Sequence, residues 1–230
     1  MVSGPTAMIL AAGRGSRMGT LGQTHPKALL PVGGKPLIQH HIEKLRDSGF
    51  TRIVVNVNHL GDQIKSYIRD MANWGLEIYI SEETTPLETA GGIANAMSLI
   101  RSDIFPVINA DIFSELPFHD VREAMNTLKK RPSTSGYLFL VNNPTHHPMG
   151  DFCLNKGVVQ LGTADTFTFS GIGIYRAELF HDISLNTPTP LAPILKREVK
   201  SERLLGHHFN GLWSDVGTPD RLEQANQLIT

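Results

Sequence analysis

The residues best suited to chemistry form a short run near the start, Leu10-Ala11-Ala12-Gly13-Arg14-Gly15-Ser16-Arg17-Met18. Small residues let backbone N–H groups approach an anion closely, and two arginines can clamp phosphate oxygens. Two standard phosphate motifs do not fit it. A dinucleotide fingerprint needs a small residue where Met18 stands and an acidic residue about twenty positions on, yet the first carboxylate is Glu43. A Walker loop needs Ser or Thr after Gly-Lys, whereas Gly34-Lys35 is followed by Pro36. Residues 1–42 hold Arg14, Arg17, Lys27 and Lys35 but no Asp or Glu, a charge of +4 in a chain whose total is −1. That segregation points to an anion site built on the first strand–helix unit.

Other groups add to it. Pro106-Val107-Ile108-Asn109-Ala110-Asp111 ends a strand with a carboxylate, the usual place for a metal ligand at the carboxyl edge of a parallel sheet. Far along the chain, Asp215 precedes Thr218-Pro219, which suit the N-cap and first turn of a last helix. Thr89 suits another N-cap, ahead of Gly91 and Gly92, which permit close backbone approach. The pairs His146-His147 and His207-His208 invite a metal reading. Adjacent residues diverge on regular elements, however, and no Cys or i,i+4 His follows, so these histidines are read as structural.

Elements that could position these groups follow from periodicity. Ala7–Ala12 is a continuous apolar run, as in a strand covered on both faces. Strands are expected at 53–57, 77–81, 105–109, 137–141 and 169–175, with helices at 36–47, 61–70, 89–100, 121–130 and 219–228. Phe152–Leu154 and Val158–Leu161 flank Asn155-Lys156-Gly157 as a hairpin. Strands alternating with helices of about a dozen residues imply βαβ units and a mostly parallel sheet.

Composition bounds the function. A near-zero net charge over 230 residues argues against a sequence-blind nucleic-acid binder or a polybasic membrane-surface protein. No apolar run reaches the ~18 residues of a membrane helix, and Met1-Val2-Ser3-Gly4-Pro5 lacks the regions of a signal peptide. The lone Cys153 allows no intramolecular disulfide. A soluble, cytoplasmic protein with no nucleic-acid or membrane partner is expected, as a monomer or small homo-oligomer.

The stretch from Leu10 to Met18, with His25-Pro26-Lys27 and Pro31-Val32-Gly33-Gly34-Lys35-Pro36-Leu37, resembles the opening of the sugar-1-phosphate nucleotidyltransferases. That family reads L-A-A-G-x-G-[ST]-R-[ML], then P-K and P-V-x-x-K-P-[LM]. Leu87-Glu88-Thr89-Ala90-Gly91-Gly92 is similar to its L-x-T-[AG]-G-[AG], Asn109-Ala110-Asp111 to its N-[GA]-D, and Trp213–Pro219 to its W-x-D-[VI]-G-T-P. Asn142–Phe152 and Thr168–Ile172 resemble segments of the N-acetylmuramic acid 1-phosphate uridylyltransferases of bacterial cell-wall recycling. The chain departs from the pattern at Gly19-Thr20, Gly22 and Asn142-Asn143.

The resemblance implies an α/β fold with a Rossmann-like, mostly parallel mixed sheet flanked by helices (glycosyltransferase-A-like), as a single nucleotidyltransferase domain over 1–230. It implies nucleotide contacts from Ala11, Ala12, Gly13, Gly15 and Gly91, with Arg17 on the triphosphate and Lys27 on the reacting phosphates. Asp111 and Asp215 would hold Mg²⁺, and Glu88, Asn109, Gly150 and Asp151 would face the sugar. The implied reaction transfers a nucleotidyl group from a nucleoside triphosphate, UTP, to N-acetylmuramic acid 1-phosphate, releasing pyrophosphate. The alternatives are a mannose, glucose or glucosamine 1-phosphate enzyme using GTP, dTTP or UTP, and a non-catalytic nucleotide-sugar sensor.

Overall fold

The computed structural model describes residues 4–71 and 74–229, so Met1–Ser3 of the leader reading lie outside it. β1 (Thr6–Leu10) leads into a loop holding the short helix α1 (Thr20–Thr24) and the ribbon β2 (Pro31–Val32)–β3 (Lys35–Pro36). Next come α2 (Leu37–Asp47), β4 (Arg52–Val57), α3 (Gly61–Asp70), β5 (Glu77–Glu82), α4 (Glu88–Ile100) and β6 (Ile104–Asn109). β7 (Ile112–Ser114), α5 (Phe118–Lys129), β8 (Gly136–Val141), β9 (Phe152–Asn155), β10 (Val158–Gln160) and β11 (Thr166–Arg176) follow. α6 (Leu191–Lys200), β12 (Leu204–His208), β13 (Trp213–Asp215) and α7 (Pro219–Gln227) complete the order.

The large sheet runs β5-β4-β1-β6-β11-β8-β12-β10-β9. β1, β4, β5 and β6 are mutually parallel, each reached from its predecessor through a helix, as the alternation of patterns requires. β11 then runs antiparallel between β6 and β8, while β12 returns parallel to β8. The expected mixed, mostly parallel sheet is therefore present. β9 pairs with both β10 and β11, which curls the far end and consumes an edge. The hairpin forms as expected, with Lys156 at φ 48° and Gly157 at φ 81°, both left-handed as a two-residue primed turn demands.

Ala7, Met8 and Ile9 are fully buried because helices cover both faces of the sheet. Ile38, Ile42 and Leu45 of α2, with Val121 and Leu128 of α5, pack on one face, and Ile93 and Ile100 of α4 with Leu195 and Val199 of α6 on the other. A smaller third core joins Met18, Leu30, Val32, Leu37, Phe113, Val216 and Ala225. Met18, the residue that breaks the dinucleotide fingerprint, is thus the apolar anchor of the Gly-rich loop.

The order reverses between β1 and β6, with Leu10 opposite Asn109. Their carboxyl ends splay there and leave the crevice characteristic of open α/β sheets. Two expectations at helix starts are corrected. The N-cap position of α4 is held by Leu87, without a side-chain cap, so Thr89 lies inside the helix; Pro36 stands at the cap position of α2, not in its first turn. Thr218 does cap α7, accepting from the Arg221 N–H, with Pro219 next.

His41 of α2 is buried against this scaffold, and loss of solvation, helped by Lys44 and His40, brings its pKa down to about 3. The unfolded chain binds a proton at this histidine below its ordinary value of 6.5, and the folded chain does not. Stability therefore falls as pH drops from 6.5 toward 3. At about pH 5 this one group should cost roughly 2 kcal/mol. Urea unfolding near pH 7 and pH 5 should show that loss, and His41→Gln should flatten it; an equal pH dependence in both proteins would refute the assignment.

Candidate active site

The crevice at the β1/β6 switch point is a cavity of about 400 Å³. Its floor is Leu10–Arg14, one wall is Asn109–Asp111 after β6, and the other is Pro86–Thr89 leading into α4. Lys27 and Ala28, from the tight turn at Lys27–Leu29, close one side. Of the residues singled out from sequence, Ala11, Ala12, Gly13, Lys27, Glu88, Asn109 and Asp111 all line this space. Gly15 instead lines an adjoining cavity of about 470 Å³ across the loop, and Arg14 borders both. Gly22, one of the departures from the family pattern, sits under that loop. A Cβ there would lie 2.3 Å from the Gly15 carbonyl oxygen, so a larger side chain would lift the loop.

A buried polar relay fixes the floor against the wall. The Ala11 N–H donates to Asn56 Oδ1 at 2.8 Å, Asn56 Nδ2 to Glu83 Oε1 at 2.6 Å, and the Leu87 N–H to Glu83 Oε2 at 3.2 Å. Asn56 is the penultimate residue of β4 and Glu83 follows β5, so two sheet strands set the spacing between the loop and α4. Burial raises the Glu83 pKa, while its hydrogen bonds from Asn56 and Leu87 oppose the rise. Gly92 makes room for the relay, since its Cβ would meet Glu83 Oε1 at 2.6 Å. Neither Asn56 nor Glu83 carries a motif, and only their place at strand ends of the parallel sheet hinted at them.

Gly91 stands outside the cavity lining. It is buried behind the wall, its N–H donates to the Thr189 carbonyl, and its missing Cβ admits the Thr187 carbonyl. Gly150 and Asp151 also stand outside the cavity lining. Gly150, at φ 57°, packs on Asn143, and Asp151 accepts from the Phe169 N–H at 2.8 Å with His147 Nε2 at 3.0 Å from its other oxygen.

The ribbon β7–β13 makes the backbones of the two metal-type aspartates neighbours. Asp215 pairs opposite Ile112, and the Val216 N–H donates to the Asp111 carbonyl at 2.7 Å. Each carboxylate meets a cation: Asp111 Oδ2 lies 3.0 Å from Lys27 Nζ, and Asp215 Oδ2 accepts from Arg221 Nη1. Asp215 Oδ1 is buried with no aligned donor, although His146 Nε2 is 3.0 Å away. An arginine N–H can only donate, so in the 2.7 Å contact with Arg221 Nη1 it is His146 Nε2 that accepts. His146, read as structural from sequence, thus belongs to this cluster, as does Arg221, which the sequence reading passed over.

The donor set fits a hard divalent cation. Asp215 Oδ1 is an orphaned buried acceptor, and no cluster of three or more His, Cys, Asp or Glu is poised for metal among the described residues. Two carboxylates without a closed cage suit Mg²⁺, which keeps waters and takes substrate phosphate oxygens for the rest of its shell.

The family model described as Nucleotidyl transferase matches residues 6–230. This chain belongs to that family. An N-acetylmuramate alpha-1-phosphate uridylyltransferase of Neisseria meningitidis is 43% identical over 96% of this chain and 97% of its own length. One of Caulobacter vibrioides is 33% identical, covering 93% and 92%. In structure, a Bacillus anthracis protein provisionally named a glucose-1-phosphate thymidylyltransferase superposes with a TM-score of 0.84 at 21% identity, over 97% of this chain and 94% of that one. That last likeness speaks for the fold alone.

For this nucleotidyl transferase, Asn56→Leu should strip a partner from both the Ala11 N–H and the buried Glu83 carboxylate. A loss of roughly 2–4 kcal/mol is expected in urea unfolding, with a weaker hold on nucleoside triphosphate in calorimetric titration. A variant as stable and as tight as the parent would show that the relay is incidental.

Proposed function

We propose that this chain transfers the uridylyl group of UTP to N-acetylmuramic acid 1-phosphate, forming a UDP-sugar and pyrophosphate. The chain acts as one nucleotidyltransferase unit in the cytoplasm, supplying bacterial cell-wall recycling without a nucleic-acid or membrane partner. Among the described residues no helix is long and apolar enough to cross a membrane. The observation that carries the reaction is the meeting of Lys27–Asp111 with Asp215 beside a switch-point cavity. The two uridylyltransferases similar to it across nearly the whole chain supply the substrates.

The chemistry needs little acid–base help. A sugar 1-phosphate oxygen attacks the α-phosphorus, the bond from that phosphorus to the bridging oxygen breaks, and pyrophosphate leaves with the electron pair. The barrier is the meeting of two polyanions in line, so catalysis is positioning and charge neutralisation. Ala11, Ala12 and Gly13 present a close-approach floor to the nucleoside, with Gly15 beyond them at the phosphate end. Lys27 lies at the boundary of floor and wall, where its ammonium offsets charge on the reacting phosphate. Arg17 takes the leaving pyrophosphate. Glu88 and Asn109 face the sugar within the cavity, while Gly150 and Asp151 shape the neighbouring rim. Mg²⁺, held by Asp111 and Asp215, would supply neutralisation of phosphate oxygens during transfer.

The test is a panel. The protein is incubated with Mg²⁺, each of four nucleoside triphosphates and a set of sugar 1-phosphates, and pyrophosphate release is recorded. UTP with N-acetylmuramic acid 1-phosphate should be preferred. A clear preference for mannose 1-phosphate with GTP would overturn the substrate assignment, and no release from any pair would overturn the enzyme. Asp111→Asn should lower turnover at least about a hundredfold, whereas near-normal release would sink the metal role.

A further inference from the structure

Arg17 and Arg221 come from opposite ends of the chain and converge on Gly217. A Cβ at that position would lie 2.0 Å from Arg221 Nη2 and 3.4 Å from Arg17 Nη2, so the absent side chain leaves room for the Arg221 guanidinium with Arg17 alongside. Such a meeting of like charges is unfavourable without an anion between them. Arg221 is also poorly placed for its helix. It sits in the first turn of α7, where the helix dipole favours anions, and its side chain is only 11% exposed. Asp215 is the one carboxylate paired with it, and among the described residues Arg17 has no hydrogen-bonding or ion-pair partner. Asp215 offsets only one of the two guanidinium charges, and any cation taken by Asp215 leaves the cluster more positive.

We propose that Arg221 is a second arginine of the pyrophosphate site, held on Asp215 in the empty protein and released to the leaving pyrophosphate when a divalent cation takes that carboxylate. The inference rests on the uridylyl-transfer reading and deepens it. His146 keeps the guanidinium at this edge of the site, because its Nε2 accepts from Arg221 Nη1 independently of Asp215. Thr218 Oγ1, 3.4 Å from Arg221 Nε, steadies the other side. A planar fork suits this task, since it can bond one carboxylate or two phosphate oxygens without changing shape. His146 is on this account a positioning residue.

Two titrations of the full chain test the idea, using inorganic pyrophosphate by calorimetry and Mn²⁺ by its paramagnetic resonance signal. Arg221→Gln should weaken pyrophosphate binding at least about tenfold while the KM for sugar 1-phosphate stays near that of the parent. The same change should tighten Mn²⁺ binding in the absence of nucleotide, because Asp215 loses its competing cation. Arg221→Lys should recover part of the pyrophosphate affinity; it also serves if the Gln variant does not fold, since a lysine lacking the fork should still bind pyrophosphate several-fold more weakly than the parent. Unchanged pyrophosphate affinity, or a loss confined to the sugar 1-phosphate KM, would overturn the proposal. If the parent releases pyrophosphate from substrates and Arg221→Gln binds it equally well, only this inference falls. If the parent neither binds nor releases pyrophosphate, the uridylyl-transfer reading falls with it.

Discussion

Three residues of β7 pair with three of β13, and from that short antiparallel ribbon comes the proximity of Asp111 and Asp215. The two carboxylates are 104 positions apart in sequence and belong to no common strand or helix. Two like charges brought together need compensation, and the surrounding elements provide it. Lys27 arrives from the turn after the Gly-rich loop, and Arg221 from the first turn of α7. Phe113 of β7 and Val216 after β13 are buried in the same small core as Met18 and Ala225, so apolar packing fixes the ribbon, the loop and α7 together. The charged cluster therefore stands on a hydrophobic base.

Charge in this site is arranged as a set of exchangeable pairs. Each carboxylate is neutralised by a flexible cation, which lowers the cost of bringing the carboxylates together. Phosphate offers those cations an alternative partner, and a divalent ion offers the carboxylates one. Exchange of partners conserves the number of ion pairs, so it needs no large change of fold. The relay from Ala11 through Asn56 to Glu83 is the opposite kind of construction: buried, with its main donors and acceptors already matched. One part of the site is built to exchange and the other to stay still.

Much of this was legible in the sequence because local patterns carried it. The apolar run before Gly13, the helical spacing of Leu37, Ile38, Ile42 and Leu45, and Asn155-Lys156-Gly157 each named an element that forms. The cavity's floor and wall were legible as well, since Ala11–Gly13 and Asn109–Asp111 sit at the ends of recognisable strands. Pairings between distant segments were not. β7 and β13 are three residues each, too short for any periodicity, and they are strands only because they find one another. Nothing local to the sequence marks Arg221 or sets His146 apart from a structural histidine, because their partner Asp215 is reached through that pairing. α6 was passed over although Leu191, Ile194, Leu195 and Val199 keep helical spacing; a buried Glu198 interrupts the stripe. The neighbour of Gly91, the Thr187 carbonyl, was hidden for a related reason, since a glycine's missing side chain does not say which neighbour needs the room.

The last segments of the chain supply β13 and α7, and with them Asp215 and Arg221. Met18 of the Gly-rich loop is buried in one small core with Val216 and Ala225, so the seating of the loop that floors the cavity depends on residues about two hundred positions away.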